Sequence, residues 1–486
     1  MRNQAKLGLG SAVSTGVGLI VATSCLMTLG QGSGALGVAF ILPMVVACAL
    51  NMMTAASLCE LSALMPNLTG GLAQYTLAGL GPFPTIVSMV GGYLFCNSMP
   101  ASVEAAMLGL AVVEITGLPI SPTLVGIAVT IALIIASLNG IDVFAKIQNT
   151  VAGLLIGSMA VMGLIGAFGL GTGVKVEQPL SVTGDLGAIL PLTAMAFWLF
   201  IGVEFIVPIA TDMKNPRKHV PISMFLSLGI ICVLQIVMVL GFHNYTQWGD
   251  LAASNAPHIL YGMNMLGEFG KIWMGVVAVL ATVSTLNSVL NSLAKICYGM
   301  AKINILPGLF QKTNKKGAPV WGVLIFGGAI CAIQATGLTT ADEIMFLILT
   351  GSIFWMISYV LMHINVLVLR RRLPNAPRSF RVPLVFNVLG IGGAVYMLLN
   401  IAPDIETSRR IWILAGVAFA VLSVYAVAWI KLHMKVPVFK SMSLEKVMAT
   451  ENEFYYITHI QRPRERKQQA RAEARRLRKE NRAQSR

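Results

Sequence analysis

Residues 196–205, "AFWLFIGVEF", place a carboxylate, a glycine and a tryptophan inside a long apolar stretch. If the stretch crosses a membrane, a charged side chain near its centre costs about 2.5–3.5 kcal/mol. Glu204 must then be protonated, paired or in contact with water. We expect it to carry a coupling proton, and a structural hydrogen bond that locks the segment is the alternative. Gly202 weakens a helix by about 1 kcal/mol, and the ring face of Trp198 suits a cation.

Two other pairs of polar residues lie in apolar segments at helical spacing. Asn97 and Glu104 are seven residues apart and so share one helix face, and Asn287 and Asn291 are four apart. These side chains could line a common cavity, in which the asparagines contact a ligand and Glu104 assists in coupling. Hydrogen bonding between helices is the alternative for all four.

The elements that position these residues follow from the composition. The chain has 486 residues, 56% of them hydrophobic and 11% charged, with a mean hydropathy of +0.76, whereas soluble domains are about a quarter charged. Its apolar runs are continuous rather than alternating, which indicates helices and not a β-barrel. Since a membrane-spanning helix needs roughly 20 residues, we predict an all-α polytopic membrane protein with about twelve transmembrane helices. These spans are placed near residues 12–32, 37–58, 84–113, 122–138, 149–169, 188–211, 221–242, 270–300, 319–337, 344–369, 382–401 and 411–432.

Basic residues are distributed unevenly along the chain, whose net charge is +15. They concentrate at the N-terminus and in alternate loops, so the positive-inside rule predicts that both termini are cytoplasmic, and we expect a cell-membrane location. The basic positions that support this topology are Arg2, Lys6, Lys214, Arg217, Lys218, Lys312, Lys315, Lys316, Arg370, Arg371, Arg372, Arg378 and Arg381. Such a distribution argues against a nucleic-acid partner.

The chain becomes polar beyond about residue 433 and ends in a basic run. We interpret residues 433–486 as a solvated cytoplasmic tail that helps to set the topology; a helix that contacts anionic lipid or RNA is the alternative. The seven cysteines lie in apolar segments without a spacing pattern, which indicates neither a disulfide framework nor a zinc site. We therefore expect no metal and no cofactor.

Two spans are interrupted by residues that disfavour a helix. Residues 14–34 contain five glycines, with Thr23 and Ser24 near the middle, and the sixth span contains Gly202 beside Glu204. If the first ten spans form two five-helix repeats, spans 1 and 6 are equivalent, and paired interruptions of this kind mark a transporter's midplane site. Free N–H groups suit a carboxylate and free carbonyls suit an ammonium, which predicts an amino acid or an amine derived from one. For span 1, close packing through small residues is the alternative.

Four motifs resemble, in the same order, those of the amino acid–polyamine–organocation (APC) transporter superfamily. "FIGVEFIVPIATDMKNPRKHVPIS", Phe200–Ser223, resembles its F-x-G-x-E helix, which runs into an acidic residue, K-N-P-R and a proline. "ELSALMPNLTGGLAQYTLAGLGP", Glu60–Pro82, is similar to its E-L-x-x-x-x-P-x-x-G-G-x-x-x-Y segment. "KICYGMAKINILP", Lys295–Pro307, and "LRRRLPNAPRSFRVPL", Leu369–Leu384, resemble the end of its helix 8 and its loop between helices 10 and 11. The resemblance covers roughly residues 7–432.

This resemblance implies a leucine-transporter-type fold, in which a 5+5 inverted repeat is followed by two extra helices. The repeats would be residues 1–170 and 171–370, the extra helices 371–432, and the tail 433–486. It also implies a transporter that imports or exchanges amino acids or related amines by alternating access. We do not expect an enzyme, because the six histidines form no pair at ligand or catalytic spacing. A non-transporting nutrient sensor on the same scaffold is the alternative.

The family's G-x-G-I-F turn falls on Ala22–Leu26, so Ala22 and Ser24 replace both turn glycines. The resulting set of predicted substrate-binding residues is Ala22, Thr23, Ser24, Cys25, Asn97, Phe197, Trp198, Phe200, Ile201, Gly202, Asn287 and Asn291, and the predicted coupling residues are Glu204 and Glu104.

Span 6 is similar to that of basic amino acid and diamine antiporters, in which the residue at Trp198 stacks on a cationic side chain. The family's second gating tryptophan falls near Val289, however, which leaves a neutral substrate equally open. A lysine that stands in for sodium in some relatives falls near Leu155. Protons, sodium and ion-free exchange therefore all remain open as coupling modes, with Ser288 and Ser292 as possible sodium ligands. The oligomeric state and the direction of flux are left undetermined.

Overall fold

The computed structural model of the chain describes residues 7–65, 68, 70–339, 341–376, 378–402 and 404–449. Helices make up nearly all the regular structure of this part of the chain. Their bounds are α1 Leu9–Ile20, α2 Thr23–Leu36, α3 Ile41–Leu64, α4 Leu72–Gly79, α5 Pro82–Pro84, α6 Cys96–Thr116, α7 Pro122–Ser137, α8 Ile141–Ala167, α9 Leu186–Ile189, α10 Thr193–Phe197, α11 Pro216–Tyr245, α12 Trp248–Ala253, α13 Pro257–Lys302, α14 Val320–Ala335, α15 Ala341–Arg372, α16 Leu384–Leu399, α17 Ile405–Trp429 and α18 Leu444–Ala449. Most of the predicted basic tail, residues 450–486, lies outside the described residues.

Within the described residues, seven helices are long and apolar enough to cross a membrane. They are Val38–Leu64, Pro82–Thr116, Val143–Ala167, Pro216–Tyr245, Pro257–Lys302, Glu343–Arg372 and Ile405–Met434. The pair α1 and α2 passes the same test together but is bent by 57°. Four shorter apolar helices are Pro122–Ser137, Leu190–Ile206, Val320–Ala335 and Leu384–Leu399. A multi-pass helical membrane protein is thereby confirmed, while a total of twelve spans and the inverted repeat stay predictions.

α13 contains a break that coincides with the start of the predicted eighth span. Gly267, with φ 65° and ψ −149°, is non-helical and divides Pro257–Lys302 into two helical segments. The second segment begins next to residue 270, where the sequence-based span begins, and the first segment, residues 257–266, precedes it.

Glycines allow α1 to pack closely against its neighbours. A Cβ atom added at Gly18 would lie 2.0 Å from Ser284 Oγ of α13 and 2.1 Å from Gln148 Nε2 of α8. Gln148 donates hydrogen bonds to Ser284 Oγ at 2.7 Å and to the carbonyl of Ser14 at 3.1 Å. Small residues at helix contacts and interhelical hydrogen bonds are the usual means of packing in membranes. The close-packing explanation of the glycines in span 1 therefore applies to Gly18.

One end of the helix bundle is closed by polar contacts among the basic segments. The backbone of Leu7 pairs with the loop before α11, through Leu7 N to Asp212 O at 2.8 Å and Lys214 N to Leu7 O at 3.0 Å. Lys295 of α13 forms an ion pair with Asp212. Glu60, at the end of α3, forms an ion pair with Arg370. The helices thus bring several of the basic segments to the same end, as a membrane topology with alternating loops requires.

The N-terminus of α17 is capped by a side chain. Asp404 accepts a hydrogen bond from the backbone N–H of Thr407 at 2.7 Å. This bond lowers the pKa of the exposed Asp404 carboxyl, because a backbone donor favours the charged form. The cap explains why α17 begins at Ile405 and not near residue 411.

Candidate functional site

The first interruption lies between α1 and α2, at Val21 and Ala22. Ala22 is extended, with φ −98° and ψ 165°, so α2 begins as a separate helix at Thr23. Carbonyls that the break frees from helical hydrogen bonds are taken up by side chains. Thr285 Oγ1 lies 3.3 Å from the carbonyls of Gly18 and Leu19 and donates to them. The broken segment is therefore held in place by α13.

The second interruption lies at Ile201 and Gly202. Ile201 is extended, and Gly202 has φ 118° and ψ −3°, in the left-handed region that favours glycine. A Cβ atom at Gly202 would also lie 2.0 Å from Leu19 Cδ2. The carbonyl of Leu199 accepts a hydrogen bond from Gln235 Nε2 of α11 at 3.3 Å. Gly202 is thus required both by the backbone conformation and by the closeness of α1.

A small cavity of about 40 Å³ lies where the two interruptions meet. Its lining comes from α1, α2, α6, α13, α15 and the sixth span, and consists of Leu19, Ile20, Ala22, Cys25, Asn97, Pro100, Ala101, Glu104, Trp198, Ile201, Phe205, Thr285, Val289 and Trp355. Six of the predicted substrate-binding and coupling residues belong to this set: Ala22, Cys25, Asn97, Glu104, Trp198 and Ile201. We call it the central cavity. Val289, near which the family resemblance places a second gating tryptophan, lines the same cavity as Trp198.

Glu104 of α6 reaches across the central cavity to the first turn of α2. Its Oε2 accepts a hydrogen bond from Thr23 N at 2.9 Å, and Ser24 N lies 3.2 Å from Oε1 and 3.3 Å from Oε2. Its side chain is 2% exposed. Because the first N–H groups of a helix have no partner within the helix and carry partial positive charge, a carboxylate there is stabilised. Glu104 therefore acts as an N-terminal cap for α2, supplied by another helix.

The side chains of Thr23 and Ser24 are also engaged within the protein. Thr23 Oγ1 donates to the carbonyl of Ala278 at 2.7 Å and lies 2.7 Å from Thr282 Oγ1. Ser24 Oγ accepts a hydrogen bond from Trp198 Nε1 at 2.9 Å. These bonds fix the beginning of α2 against α13 and against the sixth span.

Glu204 is fully buried and accepts two hydrogen bonds from α15. Trp355 Nε1 donates to its Oε1 at 2.6 Å, and the Tyr359 hydroxyl donates to its Oε2 at 2.5 Å. Trp355 packs edge-to-face on Trp198, with ring centroids 5.8 Å apart. These two bonds are of the kind stated above as the structural alternative to a proton role for Glu204. Trp355 and Tyr359 were missed in the sequence, where the only signal is two aromatic residues four apart, and thus on one helix face.

The remaining predicted residues lie around the central cavity or away from it. Phe197 and Phe200 are buried, and Phe197 packs edge-to-face on Tyr359 at 5.8 Å between ring centroids. Asn287 Nδ2 donates to Gln148 Oε1 of α8 at 3.2 Å, and Asn291 Nδ2 donates to Ser137 Oγ of α7 at 3.0 Å. The two asparagines of α13 therefore bond neighbouring helices, which is the alternative stated for them above.

A second, larger cavity of about 260 Å³ reaches Thr23 from the side of the α12–α13 connection. Glu114 and His258 are among its lining residues, and His258 is 1% exposed. Because Thr23 lines this cavity and Glu104 lines the central one, the hydrogen bond from Thr23 N to Glu104 lies between the two cavities. The same bond that caps α2 therefore separates them.

The central cavity is acidic in character. Among the described residues that line it, Glu104 is the only carboxylate, and none is lysine, arginine or histidine. The described residues contain no group of three or more His, Cys, Asp or Glu side chains placed to hold a metal ion. The lining consists of one carboxylate, two indole rings, the side chains of Asn97 and Thr285, and apolar side chains.

A family model described as amino acid permease matches residues 7–426. The branched-chain amino acid permease of Bacillus subtilis (strain 168) is 23% identical over 437 residues, which cover 85% of this chain and 91% of the relative. A methylthioribose transporter of the same organism is 24% identical over 436 residues, or 84% and 89% of the two chains. A solved structure of a Na⁺-coupled sialic acid symporter, in a substrate-bound outward-open state, has a TM-score of 0.51 at 13% identity and covers 82% of this chain and 90% of that one. This last likeness shows a transporter fold and no more.

Proposed function

Because this chain belongs to the amino acid permease family, we propose that it is a secondary active transporter of an amino acid, or of an amine derived from one, that works by alternating access. The family consists of membrane transporters, so a small-molecule substrate and a lipid surrounding are expected of every member. The two similar transporters of Bacillus subtilis are named for a branched-chain amino acid and for methylthioribose. Membership alone therefore leaves the substrate open.

The observation that carries this proposal is the meeting of two broken spans at one cavity. The α1–α2 break and the break at Gly202 both contribute to the lining, through Ala22 and Ile201. Unwound segments that face each other near the middle of a bundle give a substrate access to backbone groups that a continuous helix would not expose. In our proposal the two breaks belong to two inverted five-helix repeats, residues 1–170 and 171–370, with two further helices in 371–432.

The polar contacts at one end of the bundle fit a cytoplasmic gate in this scheme. Both termini would be cytoplasmic, at the cell membrane, and the Lys295–Asp212 ion pair together with the Leu7 backbone pairing would close that side. The central cavity, at about 40 Å³, is too small for an amino acid. Transport then requires helix movements that widen it, and the hydrogen bond between Thr23 and Glu104 is one of the contacts in their way.

Glu204 is proposed as the residue through which transport responds to protons. It is buried, accepts hydrogen bonds from Trp355 and Tyr359, and is joined through Trp355 to the wall of the central cavity. Protonation would weaken both bonds, because a charged acceptor makes stronger hydrogen bonds than a neutral one. Sodium coupling and ion-free exchange are the other outcomes of the test below. The basic tail and the sensor alternative receive no support from the comparisons, which name transporters.

The experiment is uptake into liposomes that contain the purified full-length protein. Labelled amino acids and amines are offered with and without internal counter-substrate, in sodium or choline buffers, and with or without a pH gradient. Liposomes with the Leu124→Ala variant serve as the matched control, because Leu124 of α7 is 67% exposed on the outer surface of the bundle. If no compound shows uptake or exchange above protein-free liposomes, the proposed function is wrong.

A further inference from the structure

The beginning of α2 is where a substrate carboxylate would be expected to bind in an interrupted helix, because its N–H groups point at the cavity. In this protein those donors are already used. Thr23 N and Ser24 N both donate to the Glu104 carboxylate, at 2.9 Å and at 3.2 and 3.3 Å. Thr23 and Ser24 are 1% and 0% exposed. A substrate carboxylate could bind here only if Glu104 left.

A substrate carboxylate would also find no positive charge to replace these donors. None of the described lining residues is basic, and Lys295 is paired with Asp212 at the cytoplasmic gate. Two carboxylates forced into one small cavity repel each other strongly, because the surroundings screen charge poorly. A buried carboxylate is instead stabilised by a cation brought next to it.

The rest of the lining favours a cation with an apolar body. Trp198 and Trp355 present two indole rings at an interplanar angle of 81°, and an ammonium over an indole face is attracted by the ring quadrupole. Most other lining residues are apolar, including Ile20, Ile201 and Val289. Glu204 lies behind Trp355, with both of its oxygens bonded to α15. The lining therefore contributes one carboxylate, that of Glu104, as a counter-ion for one amine.

We infer that the substrate is a monoamine with an apolar body and no free carboxylate, bound with its ammonium at Glu104. This inference rests on the proposed transport function and assigns the substrate class of the same central cavity. Glu104 takes the place that the substrate carboxylate would otherwise have and becomes the counter-ion of the substrate amine. The amine formed by decarboxylation of an apolar amino acid has the required chemistry.

The test compares amines with the amino acids that share their side chains. Isoamylamine is measured against leucine, and phenethylamine against phenylalanine, as competitors and as labelled substrates of the full-length protein in liposomes. Leucinamide, which keeps the amine but has no carboxylate, completes the series, and putrescine tests for a second amine site. We expect isoamylamine, phenethylamine and leucinamide each to bind at least tenfold more tightly than the parent amino acid, and putrescine to bind no better than isoamylamine.

Two carboxylate variants of α6 then separate the role of Glu104 from a general effect of charge. Glu104→Gln keeps an oxygen that can accept from Thr23 N but removes the charge. The affinity for amines should therefore fall at least tenfold, and the affinities for leucinamide and for leucine should become equal. Glu114→Gln is the matched control, because Glu114 lies on the same helix but pairs with Lys271 at the surface, 3.2 Å away. Its affinities should equal those of the unmodified protein.

The possible outcomes distinguish failure of this inference from failure of the proposed transport function on which it rests. Transport of leucine or phenylalanine with equal or higher affinity than the matching amine overturns the inference and leaves the transporter intact. Loss of affinity by Glu114→Gln equal to that by Glu104→Gln also overturns it. Absence of transport for every compound overturns the proposed function as well. The ligand series on the unmodified protein is decisive even if Glu104→Gln does not fold.

Discussion

Replacing Gly202 by alanine tests whether the break in the sixth span is imposed by the structure. The residue has φ 118°, a conformation that costs a residue with a Cβ about 1–2 kcal/mol. The new Cβ would lie 2.0 Å from Leu19 Cδ2, and overpacking of this kind costs about 1–3 kcal/mol. The sum, about 2–5 kcal/mol, is a large part of the about 5–15 kcal/mol by which proteins are stable. Gly202→Ala should therefore lower the apparent melting temperature and abolish most transport.

The assay is thermal unfolding of the purified protein in detergent, together with uptake into liposomes. Gly392→Ala is the matched control, since this glycine of α16 has open space around it. Alanine is the better helix former by about 1 kcal/mol, so that variant should be unchanged or more stable. Adding Leu19→Ala to Gly202→Ala removes the clash but not the backbone cost. The double variant should therefore lose less stability than the sum of the losses measured for the two single variants. Equal melting temperatures and uptake rates for Gly202→Ala and Gly392→Ala would refute the reasoning.

The other predictions concern the carboxylates and the closed end. Glu204→Gln should flatten the pH dependence of the uptake rate between pH 5 and 8, and an unchanged profile would exclude Glu204 as the proton carrier. Trp355→Phe and Tyr359→Phe each remove one donor to the buried carboxylate; a hydrogen bond to a charged group contributes about 1.5–3 kcal/mol, so both should lower the melting temperature, whereas a loss in only one would show that the other bond is not made. Lys295→Met removes the ion pair with Asp212 and should speed the modification of the protein's cysteines by a thiol reagent added on the cytoplasmic side, measured with and without substrate. Modification as slow as in the unmodified protein would rule out a gate at this pair.

Sequence reasoning located the two breaks because their signals are local. Thr23, Ser24 and Gly202 are polar or small residues within apolar runs. The positive φ of Gly202 requires a glycine at that single position, which the sequence shows directly. The helical phase of Asn97 and Glu104 is also local, and both side chains line the central cavity. Such features depend on spacing along one helix, which the sequence states directly.

What sequence reasoning missed depends on contacts between distant parts of the chain. Nothing near Glu204 in the sequence names Trp355 and Tyr359 as its donors, because α15 is brought to it only by the fold. The spacing of Asn287 and Asn291 predicted a shared helix face, yet it could not tell whether that face meets the cavity or α7 and α8. Rotation of a helix about its axis is set by tertiary packing, and a helix that is apolar on all sides gives no hydrophobic face from which to read it.

Glu104 and Glu204 are joined by a continuous series of contacts beside the central cavity. Glu104 bonds Ser24 N, Ser24 Oγ accepts from Trp198, Trp198 packs on Trp355, and Trp355 donates to Glu204. The links join α6 to α2, α2 to the sixth span, and the sixth span to α15 twice, so we expect movement of one break to disturb bonds of the other. A ligand ammonium bound at Glu104 would compete for the carboxylate with Ser24 N, and the change would reach the indole of Trp198 through Ser24 Oγ. Coupling between two sites requires an element with two arrangements that both sites bias. In our proposal that element is the indole of Trp198, which donates to Ser24 Oγ and packs on Trp355.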